Sequence, residues 1–328
     1  MNPVGIVDVL LQTRLHGFDS YSMTVLPLER AYAMNASGVI AGTTGGSAAL
    51  YRDGNVVLLA GKPGYTGLTA TAISDNGIIA GHGQSAGHQR PLYWASETAA
   101  ALDMGAQDRW AWCYAVNTHG VVVLEHRPSQ VERGRAFRWS LADGLRLIAP
   151  NQTSQSVAMD ISESGYMTGY GDYVSDGRHA VRWYPDGGIG RIGLGYGRQV
   201  FEDGSVAGQS QDETGLPVFG RSTLWSLQNA KRLIGPYPTS HHVQHTARSG
   251  RRAGNTLGVT ETGQTGAWTT AQDGQPPVYL PVPAGAYGYA HTVSASGAIM
   301  GSVKLSNGRD QPVLWTKMTP DVEPPIFG

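Results

Sequence analysis

The chain has 328 residues, of which 41% are hydrophobic and 45 are glycine, and its formal net charge is −1. This charge argues against nucleic acid and anionic membranes as partners, because both normally bind a basic surface. The single cysteine, Cys113, excludes an intramolecular disulfide, and the many glycines favour a chain of tight turns over a helical protein.

The N-terminal segment, residues 1–20, has an apolar run with no basic region before it and no small-residue cleavage site. We therefore expect no signal peptide and a cytoplasmic location. No apolar run approaches the length that crosses a membrane. Residues 22–28 (SMTVLPL) have the pattern of a fourth, outermost strand that lacks the three strands expected before it.

From residue 29 onwards the sequence repeats a unit of four short predicted strands. In one copy, Asn76 and Gly77 mark the tight turn between the first two strands. An aromatic residue recurs on the third strand, at a spacing within the range of propeller repeats. These residues are Tyr51, Trp94, Trp139, Trp183, Trp225, Trp268 and Trp315. A glycine of the second strand recurs as Gly42, Gly81, Gly169, Gly208, Gly254 and Gly301, with Leu124 in the third copy.

Seven copies carry the aromatic residue, but only six carry a fourth strand. Pairing of the last copy with residues 22–28 would supply the missing strand, close the ring and remove an exposed sheet edge. The sequence therefore predicts an all-β protein, a seven-bladed β-propeller with four-stranded blades in a single domain over residues 1–328. The predicted blades are residues 29–60, 66–105, 110–150, 155–195, 197–236, 241–282 and 287–317 plus 22–28, with a tail at 318–328.

The repeat resembles a known family. AYAMNASG at residues 31–38 and AFRW at residues 136–139 are similar to the HAF-type "probable extracellular repeat" β-propeller family. The resemblance covers nearly the whole chain and implies a repeat architecture. It carries over no catalytic residue, since the matched positions are structural. Many such proteins look exported, whereas this chain shows no export signal.

The two faces of the predicted propeller differ in their loops. All turns between first and second strands are tight, whereas several loops between second and third strands are long, such as residues 125–135, 170–179 and 209–221. We therefore expect function on the long-loop face. On this face Trp110 and Trp112 lie outside the repeated aromatic column, and they either pack between blades or wall a ligand pocket.

The first strands, which we expect to line the axis, carry unusual polar residues. The small residue of the repeat is Ala33, Ala72 and Ala115 in the first three copies. The matching residues of the later copies are Asp160, Gln199, His245 and Thr292. Buried polar groups need partners, so these residues form either a satisfied polar plug, a hydrated channel or part of an active site.

These observations favour a small-molecule-processing enzyme of lyase, hydrolase or cyclase type. Histidine and tyrosine would perform acid–base chemistry at the axial mouth, and arginine would hold an anionic group. The predicted catalytic residues are His245, His291, Asp160 and Tyr170. The predicted substrate-binding residues are Arg198, Gln199, Trp110, Trp112, Tyr114, Tyr289, His82, Glu125 and His242. The alternative is a non-catalytic binding module for a glycan, a peptide or a protein partner.

The sequence indicates no cofactor. A divalent metal bound by histidines stays open, although His242 and His245 are three residues apart and would point to opposite faces of a strand. The expected partner is a small-molecule substrate or ligand, with no nucleic acid and no membrane. The oligomeric state stays open.

Overall fold

The computed structural model describes residues 20–106, 110–127, 133–211, 221–234, 241–247, 251–256, 266–271 and 275–318. Within these ranges the chain forms short β-strands joined by turns. The strands are β1 (Tyr21–Val25), β2 (Arg30–Met34), β3 (Ile40–Thr44), β4 (Ser47–Arg52), β5 (Asn55–Leu58), β6 (Thr66–Ile73), β7 (Ile79–Ser85), β8 (His88–Trp94), β9 (Leu102–Asp103), β10 (Trp110–Val116), β11 (Val122–Arg127), β12 (Arg135–Ser140), β13 (Gly144–Leu147), β14 (Thr153–Ile161), β15 (Met167–Tyr173), β16 (Gly177–Trp183), β17 (Ile189–Val200), β18 (Val206–Ser210), β19 (Arg221–Trp225), β20 (Lys231–Leu233), β21 (His241–Thr246), β22 (Arg252–Thr256), β23 (Ala267–Thr270), β24 (Val278–Tyr279), β25 (Tyr287–Val293), β26 (Ile299–Lys304) and β27 (Asp310–Lys317).

Antiparallel sheets of four strands follow one another along the chain. Strands β2 to β5, β6 to β9, β10 to β13 and β21 to β24 each form one sheet, with neighbours in chain order. Strands β14 to β20 form a run of seven because β17 pairs twice. It pairs with β16 up to Leu194 and with β18 from Gly195 onwards.

The last sheet contains both ends of the described chain. Its order is β25, β26, β27 and β1. β1 pairs antiparallel with β27, so that Tyr21 lies opposite Lys317 and Val25 opposite Val313. The N-terminal strand therefore closes the last sheet, which confirms the closure predicted from the missing fourth strand.

The first strand of each sheet forms the inner wall of a propeller-like arrangement. The inner strands are β2, β6, β10, β14, the second half of β17, β21 and β25. Each inner strand packs against the next one along the chain, and β25 packs against β2. The sheets are therefore arranged around a common axis, with the inner strands closest to it.

Every inner strand carries a β-bulge at the same place. One residue has no partner on the second strand, and the pairing resumes at the following residue. The bulged residues are Tyr32, Thr71, Tyr114, Met159, Arg198, Gln244 and His291. A bulge bends the strand and changes the direction of the side chains around it, so it decides what faces the axis.

The repeated tryptophans pack between neighbouring sheets. Trp94 Nε1 donates a hydrogen bond to the Ala60 carbonyl, and Trp315 Nε1 donates to the Pro281 carbonyl. Each acceptor lies two residues after the end of the fourth strand of the preceding sheet. Five of these side chains are at most 2% exposed, namely Trp94, Trp183, Trp225, Trp268 and Trp315. The tryptophan column is thus part of the inter-sheet core.

One loop on the long-loop face is shorter than the sequence predicts. β15 extends to Tyr173 and β16 begins at Gly177, so the loop predicted at residues 170–179 is mostly strand. The other two long loops fall partly outside the described residues. In the described ranges we find no helix of sufficient length and hydrophobicity to cross a bilayer.

Candidate functional site

The inner strands run from the long-loop end of the axis to the tight-turn end. A residue before the bulge therefore lies toward the long loops, and a residue after it lies toward the tight turns. The predicted site residues divide into two groups at these bulges.

A cavity of about 230 Å³ lies at the tight-turn end. Its lining includes Asp160, Gln199 and His245, three of the four polar residues that directly follow a bulge, whereas the fourth, Thr292, does not line it. The structure thus brings these three side chains to one place. It places them beside the tight turns, however, whereas the sequence analysis expected them at the long-loop mouth.

Asp160 and Gln199 hydrogen-bond the backbone of the next inner strand. The Val200 N–H donates to Asp160 Oδ2 at 2.8 Å. Gln199 makes two bonds to Thr246, since its Nε2 donates to the carbonyl (2.7 Å) and its Oε1 accepts from the N–H (2.9 Å). These polar side chains therefore tie neighbouring inner strands together, which is the satisfied arrangement that buried polar groups require.

His245 makes a third contact of this kind. The Val293 N–H donates to His245 Nδ1 at 3.4 Å, so the ring hydrogen lies on Nε2. Burial lowers the pKa of His245 to about 4, which keeps the imidazole neutral near pH 7. With Nδ1 engaged and Nε2 protonated, this geometry does not favour the catalytic role that the sequence analysis gave to His245.

Asp160 responds to burial in the opposite direction. Desolvation raises the pKa of its carboxyl group to about 7, and the hydrogen bond from Val200 opposes that rise. The carboxyl is therefore partly protonated near neutral pH. Its bond to Val200 explains its presence without a substrate.

Acidic side chains connect the tight turns around the cavity. Asp75 Oδ1 accepts from the Ala36 N–H (2.8 Å), and Glu163 Oε2 accepts from the Thr118 N–H (2.9 Å). In each case the carboxylate belongs to one turn and the N–H to the turn before it. These carboxylates satisfy backbone donors, so they stabilise this end of the fold.

Aromatic residues cluster on the other side of the bulges. The Trp112 ring centroid lies 4.8 Å from that of His82, 5.7 Å from Tyr32 and 6.3 Å from Trp110. Burial lowers the pKa of His82 to about 4, so this histidine is neutral. Arg127 stacks over Trp110, with Cζ 4.4 Å from the ring centroid. Trp112 thus packs between the first three sheets, and Trp110 lies at the outer end of the cluster.

Glu125 is a buried carboxylate next to this cluster. Its side chain is 2% exposed and pairs with Arg127, whose Nε donates to Oε1 at 3.0 Å. The Tyr114 hydroxyl donates to Oε2 at 3.1 Å. Burial and the charge of Glu125 raise the pKa of Tyr114, so its hydroxyl stays protonated. Glu125 is therefore a paired structural charge that holds Tyr114 in place.

Tyr170 lies in the fourth sheet among polar groups. Gln155 Nε2 donates to its hydroxyl at 3.2 Å, and Arg178 Cζ lies 4.1 Å from its ring centroid. Arg178 is itself paired with Asp172 through two bonds of 2.7 and 3.0 Å. Burial raises the pKa of Tyr170, so it can donate a hydrogen bond but does not act as a base near pH 7.

Arg198 is the bulged residue of the fifth inner strand. Its Cζ lies 5.1 Å from the Tyr196 ring centroid, and its Nη2 donates to the Tyr196 hydroxyl at 3.4 Å. Its Nε has no hydrogen-bond partner among the described residues, and no described carboxylate pairs with the guanidinium. Arg198 therefore differs from Arg127 and Arg178, which both have a carboxylate partner.

His291 is the bulged residue of the seventh inner strand. Its side chain is exposed, and its Nε2 lies 3.1 Å from Ser302 Oγ. Surrounding protein and the charge of Arg198 lower the pKa of His291, so the ring is neutral near pH 7. A neutral, accessible imidazole is able to accept a proton.

Ser302, the partner of His291, is not among the residues predicted from the sequence. Its only sequence signal is its position directly after Gly301. The residues at the same position of three other sheets are His82, Glu125 and Tyr170. Tyr289 lies opposite Ser302 on the inner strand, with its ring centroid 4.8 Å from that of Tyr287. The backbone of His242 belongs to β21, but its side chain lies outside the described residues.

Among the side chains that the structure describes, no three His, Cys, Asp or Glu residues come close enough together to hold a metal ion. The three candidate histidines whose side chains the structure describes have other contacts. His82 stacks on Trp112, His245 contacts a backbone N–H and His291 contacts a hydroxyl.

No family model and no curated protein matches the chain, so the resemblance to the HAF-type repeat stays a prediction. Solved structures do match. The chain is similar to the GH74 enzyme of Niastella koreensis, with 12% identity and a TM-score of 0.53 over 91% of this chain and 43% of that one. It is similar to the Dos1 propeller (9% identity, TM-score 0.49, 88% and 82% of the two chains). It is also similar to the gluconolactonase XC5397 of Xanthomonas campestris (14%, TM-score 0.43, 75% and 84%).

The likeness to these structures is one of fold. The chain spans less than half of the GH74 enzyme. The similar structures include a gluconolactonase and a puromycin hydrolase, as well as propellers such as Dos1. A shared fold of this kind does not assign an activity, which has to be argued from the site.

Proposed function

We propose that the protein is a seven-bladed β-propeller enzyme that acts on a small molecule with an anionic group. The substrate binds in the axial space on the long-loop side of the bulges. The blade number is supported by the seven inner strands, each of which packs against the next and the last against the first. In this interpretation β17 serves two blades, as the outer strand of one and the inner strand of the next.

The observation that carries the enzymatic proposal is the environment of His291. Its side chain is exposed on an inner strand and neutral near pH 7, so it is suited to act as a general base. Arg198 supplies a positive charge with no described carboxylate partner, which suits a carboxylate or phosphate on the substrate. Tyr114 supplies a hydroxyl that stays protonated.

The contacts of the remaining polar residues support a division of roles along the axis. Asp160, Gln199 and His245 bind neighbouring backbone and hold the inner strands together. Catalysis is assigned to the long-loop side, with His291 as the base and Arg198 as the anion-binding residue. The tight-turn side is assigned to stability.

The test is turnover of a panel of small carboxylate-bearing esters, lactones and hydroxy acids, followed by mass spectrometry. We expect the wild-type protein to convert at least one compound. His291→Asn should lower kcat at least 100-fold while the melting temperature changes little. His119→Asn, at an exposed position in a tight turn, is the matched control. Equal turnover by His291→Asn and wild type would rule out His291 as the base.

A second candidate function is a non-catalytic binding module. It is favoured by the cluster of Trp110, Trp112 and Tyr32, because aromatic side chains commonly bind sugars and peptides at protein surfaces. This function predicts saturable binding without a product. Binding would then be lost in Trp110→Ala and kept in His291→Asn, which is the reverse of the pattern expected for the enzyme.

A further inference from the structure

The contact between His291 and Ser302 depends on the bulge in β25. Ala290 pairs with Gly301 and Thr292 pairs with Met300, so His291 has no partner of its own on β26. The bulge therefore changes the direction of its side chain from the one that the regular alternation of a strand would give. The ring lies across the neighbouring strand with Nε2 3.1 Å from Ser302 Oγ.

The residue at the same position of other sheets also bonds to a neighbour, and Glu125 accepts from Tyr114, the bulged residue of its own sheet, as Ser302 contacts the bulged residue His291. Gln209 bonds to Tyr196 within its own sheet. Asn255 bonds the backbone N–H and carbonyl of Ala290 in the next sheet. Ser302 differs from these residues in its chemistry, because it pairs a hydroxyl with an imidazole and makes no other side-chain hydrogen bond among the described residues.

The chemistry of this pair is that of a nucleophile and its base. A serine hydroxyl attacks only when a neighbouring group removes its proton during attack, and an imidazole at hydrogen-bond distance performs this step. With the ring hydrogen on Nδ1, Ser302 donates to Nε2. Ser302 is half-buried and His291 is exposed, so both side chains have surface that a small molecule can contact.

We propose that Ser302 is the nucleophile of a covalent hydrolysis, with His291 as its base, acting on an ester or lactone whose carboxylate is held by Arg198. This proposal rests on the proposed function and specifies its reaction. It requires only water as the second substrate.

The reaction has two halves, acylation of Ser302 and hydrolysis of the acyl-enzyme. Ser302 Oγ bonds to the acyl carbon while His291 Nε2 takes the hydroxyl proton, and the bond from the acyl carbon to the leaving alkoxide oxygen breaks as that oxygen receives the proton. Water then adds to the acyl carbon and gives a proton to His291. The bond between Ser302 Oγ and the acyl carbon breaks, and His291 returns the proton to Ser302.

The experiment uses the full chain and a fluorophosphonate probe, which loses fluoride when a serine oxygen bonds to its phosphorus. Intact mass and peptide mapping should find one adduct, on Ser302. The adduct should be absent from Ser302→Ala and form at least 10-fold more slowly in His291→Asn. Ser96→Ala, at an exposed serine distant from the axis, should label as the wild type does.

Hydrolysis of mono-4-nitrophenyl succinate gives the second measurement. Ser302→Ala should lose at least 100-fold in kcat while circular dichroism and the melting curve stay those of the wild type. An adduct on a different residue, or none, would overturn the nucleophile. If Ser302→Ala keeps a turnover that His291→Asn loses, Ser302 is not the nucleophile but the proposed function stands. If no compound of the panel is converted by the wild type, both proposals fail.

Discussion

Asp160, Gln199 and His245 replace a small residue of the repeat in three consecutive inner strands, and each binds the backbone of the next strand. Asp160 shows the free-energy cost of placing such a polar side chain between two strands. Its carboxyl accepts a hydrogen bond from Val200 but loses hydration, so ionisation is unfavourable in the folded state. A residue that joins two strands is therefore also a source of pH dependence.

The change Asp160→Asn tests this ionisation. The folded pKa of about 7 lies above the ordinary 3.8, so the folded state binds more protons between these values and the wild type loses stability as pH rises from about 4 to about 7. Asparagine keeps an oxygen for the Val200 N–H and cannot ionise. We expect Asp160→Asn to be about 4 kcal/mol more stable than wild type at pH 8, and equally stable at pH 4. Urea unfolding at both pH values measures the difference. Asp53→Asn, at an exposed turn, is the control, and a variant that gains nothing at pH 8 would contradict the raised pKa.

Arg198 allows a separate test of substrate charge. Arg198→Gln removes the guanidinium charge but keeps a hydrogen-bond donor, so binding of an anionic group should weaken. For mono-4-nitrophenyl succinate we expect KM to rise about 10-fold, or about 1.4 kcal/mol of binding. For the neutral ester 4-nitrophenyl butyrate KM should not change. Arg138→Gln is the control, since Arg138 already pairs with Asp143. An equal effect on both esters would show that Arg198 acts on the fold rather than on the carboxylate.

The second strand needs a glycine where the bulged inner strand comes close to it. A Cβ on Gly81 would lie 1.9 Å from the Thr69 carbonyl oxygen, and one on Gly301 would lie 2.0 Å from the Tyr289 carbonyl oxygen. The third sheet has Leu124 in this place and packs it into its core. At Gly42, Gly81, Gly169, Gly208 and Gly301 the close approach of the two strands excludes any side chain.

Gly81→Ala should therefore destabilise the protein. The clash is with backbone, which cannot move aside as a flexible side chain can, so we expect a loss of about 2–3 kcal/mol in the free energy of unfolding. Gly61→Ala is the matched control, because its Cβ would lie at an ordinary 3.7 Å from Leu68. The control should change stability by less than about 0.5 kcal/mol. Chemical denaturation of both variants gives the comparison, and equal values would contradict the close approach.

The strands were largely predictable, whereas the bulges were not. The dipeptide Asn76-Gly77 and the third-strand aromatic residue such as Trp94 are local patterns, and both mark the elements found in the structure. A bulge depends on the register of two strands together, so a residue such as His291 gives no sign of it in the sequence. The sequence predicted a loop at residues 170–179 because the segment is polar. Strand ends that are exposed to solvent need no hydrophobic alternation, so the usual strand pattern is absent there.

The candidate site, too, could be predicted from the sequence only in part. The convergence of Asp160 and His245 follows from equal positions in a repeat, and sequence alone is enough to expect it. That their polar atoms contact Val200 and Val293 depends on side-chain direction, which the repeat does not encode. Ser302 has no motif, and only the pairing of two strands places it beside His291.

Closure of the ring by the N-terminal strand allows a test on the whole molecule. Ser22 lies opposite Thr316, with the two hydroxyl oxygens 2.9 Å apart. The double change Ser22→Cys and Thr316→Cys should form a disulfide under oxidising conditions. Because this bond would join the two ends of the fold, it should raise the melting temperature by about 5 °C. The single cysteine of the chain, Cys113, is fully buried and does not compete.

The control for this crosslink is a pair that is out of register. Thr24 lies opposite Leu314 rather than Thr316, so Thr24→Cys with Thr316→Cys should not form a disulfide within one molecule. Mass spectrometry under oxidising and reducing conditions distinguishes the two pairs. If the first pair does not crosslink, or if both pairs do, then β1 does not hold a fixed register on β27. A stabilising crosslink in the first pair alone would instead mean that unfolding of the ring requires β1 to leave β27, because only then does joining them oppose unfolding.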